Sequence, residues 1–160
     1  MNTYLPQLIR KYRKKGILLD TNVLLLYIIG TLDQRIVHTF SRTSHFNEED
    51  FIALLTLLNA FDVKITTPHV LTEVSNLLGR RRDFHYSLGV YLKSVREVFN
   101  GSTQLGERKH FIEMGITDTA ILDIAKDLFL VCTDDGPLYG HLVSNNIDVI
   151  NFRQLRTELS

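Results

Sequence analysis

The sequence predicts an α/β protein, with helices on both faces of a central parallel sheet of about five strands. Short apolar segments alternate with longer helical patterns along the chain, which is typical of a doubly wound parallel sheet. These segments are continuously apolar, as expected of strands buried on both faces. A chain of 160 residues has the length of one domain, so residues 1–160 are interpreted as a single unit.

The first elements are an amphipathic helix and a buried strand. Apolar side chains at helical spacing in residues 4–15 predict an N-terminal helix at about residues 3–15, which the following glycine ends. Residues 17–20 form an apolar strand that ends in a carboxylate. Residues 23–29 predict a buried helix that ends before Gly30.

The middle of the chain predicts a second strand between helices. An asparagine followed by three acids is typical of a helix start, here for a helix over residues 47–61. The β-branched residues at 63–67 predict a strand. A proline suits the first turn of a helix over residues 68–78, and residues 86–99 predict a long helix.

The last third of the chain completes the alternation. Residues 100–103 predict a loop and residues 111–114 a short edge strand. Thr117 or Asp118 is expected to cap a helix that ends at residue 127. The remaining predictions are a strand at residues 128–132, a helix at 138–145, a strand at 147–151 and a terminal helical turn.

Composition narrows the class of protein. Eighteen basic side chains balance eighteen acidic ones, so contact with a polyanion requires a local basic patch. Cys132 is the single cysteine, which excludes an internal disulfide and predicts a buried thiol in a reducing compartment. No apolar stretch approaches the ~20 residues that span a bilayer. We therefore expect a cytoplasmic protein without a membrane segment.

Carboxylates follow the predicted strands. Asp20 ends the first strand, and Asp134 and Asp135 follow the strand that contains the cysteine. Asp118 lies at the start of the helix after residues 111–114, and Glu73 lies on the helix that follows the second strand, five residues past Pro68. Because the carboxyl ends of parallel strands meet at one edge of a sheet, these acids are expected to converge there. Clustered carboxylates repel one another unless a cation binds, and hard oxygen ligands select Mg²⁺ or Mn²⁺.

Each acid also has a purely structural alternative. Asp20 and Asp118 could be ordinary helix caps, and Glu73 could be a solvated helix residue. Asp134 and Asp135 could form a turn with the Gly-Pro pair that follows them. Which of these two adjacent acids would ligate a metal remains open.

Four segments resemble the motifs of the PIN domain family of metal-dependent ribonucleases. They are LLDTNVLL at residues 18–25, TPHVLTEV at 67–74, GITDTAI at 115–121 and VCTDDGPL at 131–138. The resemblance extends from residue 17 to about residue 152 and implies a three-layer α/β/α fold with a parallel sheet. The family's Thr-x-Asp pattern selects Asp135, which leaves Asp134 as an extra acid.

The resemblance implies Mg²⁺- or Mn²⁺-dependent hydrolysis of single-stranded RNA. The implied catalytic residues are Asp20, Glu73, Asp118 and Asp135. The implied metal ligands are Asp20, Asp118, Asp135 and Asp134. Thr21, Asn22 and Thr133 would support these carboxylates through hydrogen bonds. Such a nuclease could be the toxin of a toxin–antitoxin or defence pair, which adds an antitoxin or other protein, and a homodimer, to the candidate partners.

RNA also requires basic contacts. Arg80, Arg81 and Arg82 are the best candidates, with a solvated helix end as the alternative. The basic run at residues 10–15 is more typical of a solvated helix face. Phe84 and Tyr86, which lie beside the arginines, are expected in the core.

Two other functions compete with the nuclease. A catalytically silent module with the same fold could bind RNA or a protein, for which the unassigned residues 31–62 are available. A phosphatase of the haloacid dehalogenase type requires a second acid two residues after the first. This chain has Asn22 at that position, which argues against the phosphatase.

Overall fold

The computed structural model describes residues 4–159, with side chains described as far as residue 158, so predictions for residues 1–3 and 160 lie outside it. The strands are β1 (Ile17–Leu19), β2 (Lys64–Thr66), β3 (Val95–Glu97), β4 (Leu130–Thr133) and β5 (Val149–Asn151). The helices are α1 (Tyr4–Tyr12), α2 (Thr21–Leu32), α3 (Glu48–Leu58), α4 (Pro68–Leu77), α5 (Arg82–Leu92), α6 (Ser102–Gly106), α7 (Phe111–Ala125), α8 (Gly136–Ser144) and α9 (Phe152–Leu159). Two 3-10 turns, Gln34–Ile36 and Ser41–Thr43, lie between α2 and α3.

The five strands form one parallel sheet in the order β3-β2-β1-β4-β5. Helices flank this sheet, which confirms the predicted three-layer α/β/α architecture. The chain builds outward from β1 to β3 and then returns to place β4 on the other side of β1. This reversal creates a switch point at β1 and β4, where the connections that leave the two strands diverge and open a crevice at their carboxyl ends.

The core is built around the central strands and α2. Strands β1 and β4 are buried along their whole length, as their apolar sequences predict. Helix α2 is apolar on nearly every face and is covered by α3, α4 and α5. It extends to Leu32, so the prediction that it ends before Gly30 is wrong. Position 30 lies inside α2 and requires glycine, because the ring of Phe51 occupies the space that a Cβ would need.

Local capping explains where two helices begin. Asn47 Oδ1 accepts the backbone N–H of Asp50, and Asp50 Oδ2 accepts the backbone N–H of Asn47, both at 2.9 Å. This reciprocal pair fixes the start of α3 as predicted. Helix α4 begins with Thr67 Oγ1 accepting the N–H of Val70 at 3.1 Å, and proline occupies its first turn.

Two element predictions are wrong. Residues 86–99 are not one helix, since α5 ends at Leu92 and residues 95–97 pair with β2 as the edge strand β3. Residues 111–114 are not a strand but the first part of α7, which breaks at Gly115 with φ 77° and ψ −179°. The predicted loop at 100–103 also ends early, because α6 begins at Ser102.

Other predictions concern single side chains and the membrane. Cys132 is a free, buried thiol whose pKa is raised by burial, as the sequence indicated. Phe84 is fully buried as predicted, whereas Tyr86 is 74% exposed and the expectation that it belongs to the core is wrong. In residues 4–159, no helix combines the length and the apolar character needed to cross a membrane.

Candidate functional site

The carboxyl ends of β1 and β4 bring the first and last acidic motifs together. Leu19 pairs with Cys132 in the sheet, and the backbone N–H of Asp20 donates to Cys132 O at 3.0 Å. The next residue of β4 is Thr133, whose hydroxyl donates to Asp20 Oδ2 at 2.8 Å. The register of two central strands therefore fixes the position of Asp20.

Asp20 is a buried carboxylate at a helix start. Its side chain caps α2 by accepting the backbone N–H of Thr21 at 2.7 Å, and the residue is only 6% exposed. Burial raises its pKa to about 6, and the charges of Asp135 and Asp134 push in the same direction. The hydrogen bonds from Thr133 and Thr21 oppose this shift because they favour the ionised form.

Asp135 has the same relation to α8 that Asp20 has to α2. Its Oδ1 accepts the backbone N–H of Leu138 at 2.8 Å, which caps α8. Its own N–H donates to Thr133 Oγ1 at 3.0 Å. One hydroxyl thus positions both acids, and two helix N-termini direct their positive dipole ends at the carboxylates.

Asp118 reaches the same place through a break in α7. Gly115 adopts a left-handed φ that L-residues rarely occupy, and a new helical segment begins after it. Thr117 and Asp118 lie in the first turn after this break, so the predicted cap position was close but not correct. The pKa of Asp118 is raised to about 7, first by burial and then by the charges of Asp20, Asp135 and Glu73.

These four acids line one cavity. It has a volume of about 460 Å³, and Asp20, Glu73, Asp118 and Asp135 all contribute to its wall. Thr21 and Asn22 also line it. Glu73 belongs to α4 and is the one exposed acid of the four. The cavity therefore gathers carboxylates from four separate segments of the sequence.

Asp134 points elsewhere. Its side chain is almost fully buried, and its Oδ2 lies 3.0 Å from His45 Nε2, outside the wall of the acidic cavity. Its Oδ1 has no hydrogen-bond partner among the described residues. The extra acid thus contacts the segment between α2 and α3, a link that adjacent aspartates in the sequence did not reveal.

The two threonines predicted to support the acids differ in role. Thr133 makes the predicted contact with Asp20. The hydroxyl of Thr21 is buried and makes no hydrogen bond within the described part of the chain, so Thr21 contacts Asp20 only through its backbone. Asn22 lines the cavity beside it.

The donor chemistry of the cavity fits a hard divalent cation, because carboxylate oxygens are its principal polar groups. Burial and then the charges of the neighbouring acids raise the pKa of Asp118, and a bound cation would relieve this charge crowding. Among the described residues, however, no three His, Cys, Asp or Glu side chains are arranged to hold a metal ion together. Ligation would therefore require side chains such as the exposed Glu73 to turn inward.

A larger cavity of about 550 Å³ lies between α3 and α9. The charged groups at its wall include Asp50, which is buried and bonded to Arg156 Nε at 2.9 Å. Of the two acids at its wall, Asp50 already has a cationic partner and Glu49 is exposed, whereas four carboxylates line the smaller cavity.

The basic residues near the site do not behave alike. All three arginines at residues 80–82 are exposed. Arg81 forms a double hydrogen bond with Asp83, whereas Arg80 and Arg82 form no ion pair with any described residue. The basic run at residues 10–15 precedes β1 and so lies at the opposite edge of the sheet from the acids. Within it, Lys11 pairs with Asp148 at 2.8 Å, which fits a surface network.

No family model, curated protein or solved structure matches this chain. The site is therefore interpreted from its own residues and their geometry.

Proposed function

We propose that the chain is a Mg²⁺- or Mn²⁺-dependent endoribonuclease of the PIN type that hydrolyses phosphodiester bonds in single-stranded RNA. One observation carries the proposal: Asp20, Glu73, Asp118 and Asp135 line a single cavity at the switch point of the parallel sheet. The four motifs that resemble the PIN family supply these same four acids, which is the second support.

Each acid receives a role from its surroundings. Asp20 and Asp135, both fixed by Thr133, would form the rigid part of a cation site. Asp118 would complete it from α7, and the exposed Glu73 would hold a ligand position or orient the attacking water. A divalent cation there would neutralise phosphate charge and acidify water. Asp134, which faces His45, would contribute charge to the site without ligating.

The same site would serve the toxin of a toxin–antitoxin pair or a defence enzyme. Either role adds an antitoxin or another protein partner to the RNA substrate. A cytoplasmic location and a homodimer are part of this proposal, and neither follows from the geometry of the cavity.

A second candidate is a catalytically silent module that binds RNA or protein through the same fold. It is favoured by the finding that no three potential ligands among the described residues stand together as a metal site. Manganese titration by calorimetry separates the candidates, since the nuclease requires saturable binding and the silent module does not.

The direct test uses pure protein, labelled unstructured RNA and Mn²⁺. We expect cleavage that EDTA abolishes and that an Asp20→Asn and Asp118→Asn double variant lacks. Glu113→Gln, which removes an exposed carboxylate from the same helix as Asp118, is the matched control and should cut like the unmodified chain. Equal cleavage by the double variant would mean that the activity does not come from this cavity.

A further inference from the structure

The turn between α4 and α5 is held rigidly by its own side chains. Arg81 Nε and Nη2 donate to the two carboxylate oxygens of Asp83 at 3.0 and 2.6 Å. The Arg81 guanidinium also stacks on the Phe84 ring, 4.0 Å from its centroid. His85 Nε2 lies 2.8 Å from Gly79 O, and as a donor it closes the turn. One arginine of the triplet is therefore structural.

The other two arginines are presented to solvent by this turn. Arg80 and Arg82 are exposed, and neither forms an ion pair with any described residue. Unpaired guanidinium groups on a rigid turn favour an anionic ligand, since less side-chain and backbone freedom is lost when the ligand binds.

An exposed aromatic ring continues the same surface. Tyr86 lies four residues after Arg82 on α5, so the two side chains share one face of the helix. Tyr86 is 74% exposed, and no hydrogen bond or ring contact joins it to another described residue. A Cβ at Gly89, three residues further along α5, would meet no atom within 4 Å, so this part of the helix surface is open. A flat aromatic face with room around it is what base stacking requires.

This surface lies near the acidic cavity. Leu77, in the last turn of α4, lines that cavity, and Arg80 follows three residues later. The five residues from Leu77 to Arg82 span at most about 18 Å.

We propose that Arg80, Arg82 and Tyr86 form a platform for an unpaired nucleic-acid strand that leads into the acidic cavity. The two arginines contact phosphates, and the tyrosine ring stacks on a base. Two unpaired guanidinium groups beside an exposed aromatic ring match the phosphates and bases of a nucleotide strand, so we infer a nucleic acid as the occupant. This inference rests on the proposed nuclease function and assigns the substrate path of that same site.

The test measures binding separately from cleavage. Fluorescence anisotropy follows a labelled, unstructured RNA oligonucleotide in EDTA, over a series of salt concentrations. We expect Tyr86→Ala to weaken binding about tenfold and Tyr86→Phe to bind normally, because stacking needs the ring and not the hydroxyl. Arg80→Gln and Arg82→Gln should each weaken binding and reduce the salt slope by about one.

The control is Arg10→Gln, which removes an exposed arginine from the opposite edge of the sheet and should bind normally. Thermal melts of all variants should coincide, since the three platform side chains are exposed. The platform would be overturned if Tyr86→Ala bound the RNA within twofold of the unmodified chain. It would also be overturned if Tyr86→Ala weakened the binding of a duplex and of a single strand to the same extent. Absence of RNA binding by the unmodified chain would overturn it too.

The two proposals can fail separately. Binding that depends on Tyr86, without cleavage in Mn²⁺, would support the platform and refute the nuclease. Cleavage by Tyr86→Ala with an unchanged KM would support the nuclease and refute the platform. If Tyr86→Ala instead abolished association with a protein while RNA binding persisted, the platform would be a protein-docking surface and our inference would be wrong.

Discussion

Replacing Asp118 with asparagine should make the metal-free protein more stable. The pKa of this carboxyl is raised from 3.8 to about 7, first by burial and then by the charges of Asp20, Asp135 and Glu73. A raised pKa means that the folded state disfavours the ionised form. Asparagine has nearly the same shape and carries no charge, so it removes that penalty while keeping the side-chain volume.

The size of the effect follows from the shift. A change of roughly three pKa units corresponds to about 4 kcal/mol for a group fully shielded from solvent. Asp118 is partly exposed, so solvent screening reduces the expected gain to about 1–2 kcal/mol. For a chain of this length such a gain raises Tm by about 3–6 °C.

The gain should depend on pH in one direction. Because the folded pKa lies above the unfolded value, ionisation of Asp118 destabilises the protein fully above about pH 7 and not at all below about pH 4. Asp118→Asn should therefore exceed the unmodified chain in stability at about pH 8, and the difference should vanish as the pH approaches 4. Urea unfolding in EDTA, followed by circular dichroism, measures both ends of this window.

Manganese should reverse the order. A ligand at a hundred times its Kd stabilises the folded state by about 2.7 kcal/mol, and the variant would lose much of this through weaker binding. Glu113→Gln is the control and should change stability by less than about 0.5 kcal/mol in either buffer. The reasoning is refuted if Asp118→Asn lowers stability in EDTA at high pH, or if its gain is independent of pH.

Two further substitutions test the supports of the site. Gly115→Ala should cost about 1–3 kcal/mol of stability in thermal melts and reduce Mn²⁺-dependent cleavage. A Cβ at Gly115 would meet no atom within 4 Å, so this cost comes from backbone strain alone. Unchanged stability and activity would show that the break in α7 is not needed. Thr133→Val removes the hydroxyl that donates to Asp20 and accepts from Asp135 N–H, and we expect 10- to 100-fold weaker manganese binding by calorimetry, of the order typical for residues that orient metal ligands. An unchanged Kd in that titration would mean that the helix starts alone position the two acids.

The sequence predicted the centre of the fold better than its edge. Strands β1 and β4 are continuous apolar runs that end in acids, so their burial and their shared edge followed from residue type. Strand β3 reads Val-Arg-Glu and is partly exposed, so its pattern does not differ from that of the helix before it. Only its backbone pairing with β2 makes it a strand, and pairing depends on residues distant in the sequence.

The break in α7 was missed for a related reason. The segment before Gly115 is only four residues long and mostly apolar, so its periodicity fits a strand and a helix equally well. The glycine was visible in the sequence, but its positive φ of 77° is a property of the folded backbone that the residue type permits and does not by itself predict. The position of Asp118 at the cavity was predicted, whereas the conformational device that places it there was not.

Asp134 and Asp135 show which information adjacent residues cannot supply. Successive side chains at the end of a strand tend to point in opposite directions, which favours different surroundings for two neighbouring acids. Thr133 and Asp135 are two residues apart and both reach the site, which leaves Asp134 to face His45. The sequence predicts that the two side chains face opposite ways, but it does not predict which of them faces the cavity. That depends on the register in which Cys132 pairs with Leu19. With that register, Asp135 shares the cavity with Asp20. Asp135 caps α8 and Asp20 caps α2, and these hydrogen bonds hold the two acids in position before any cation binds.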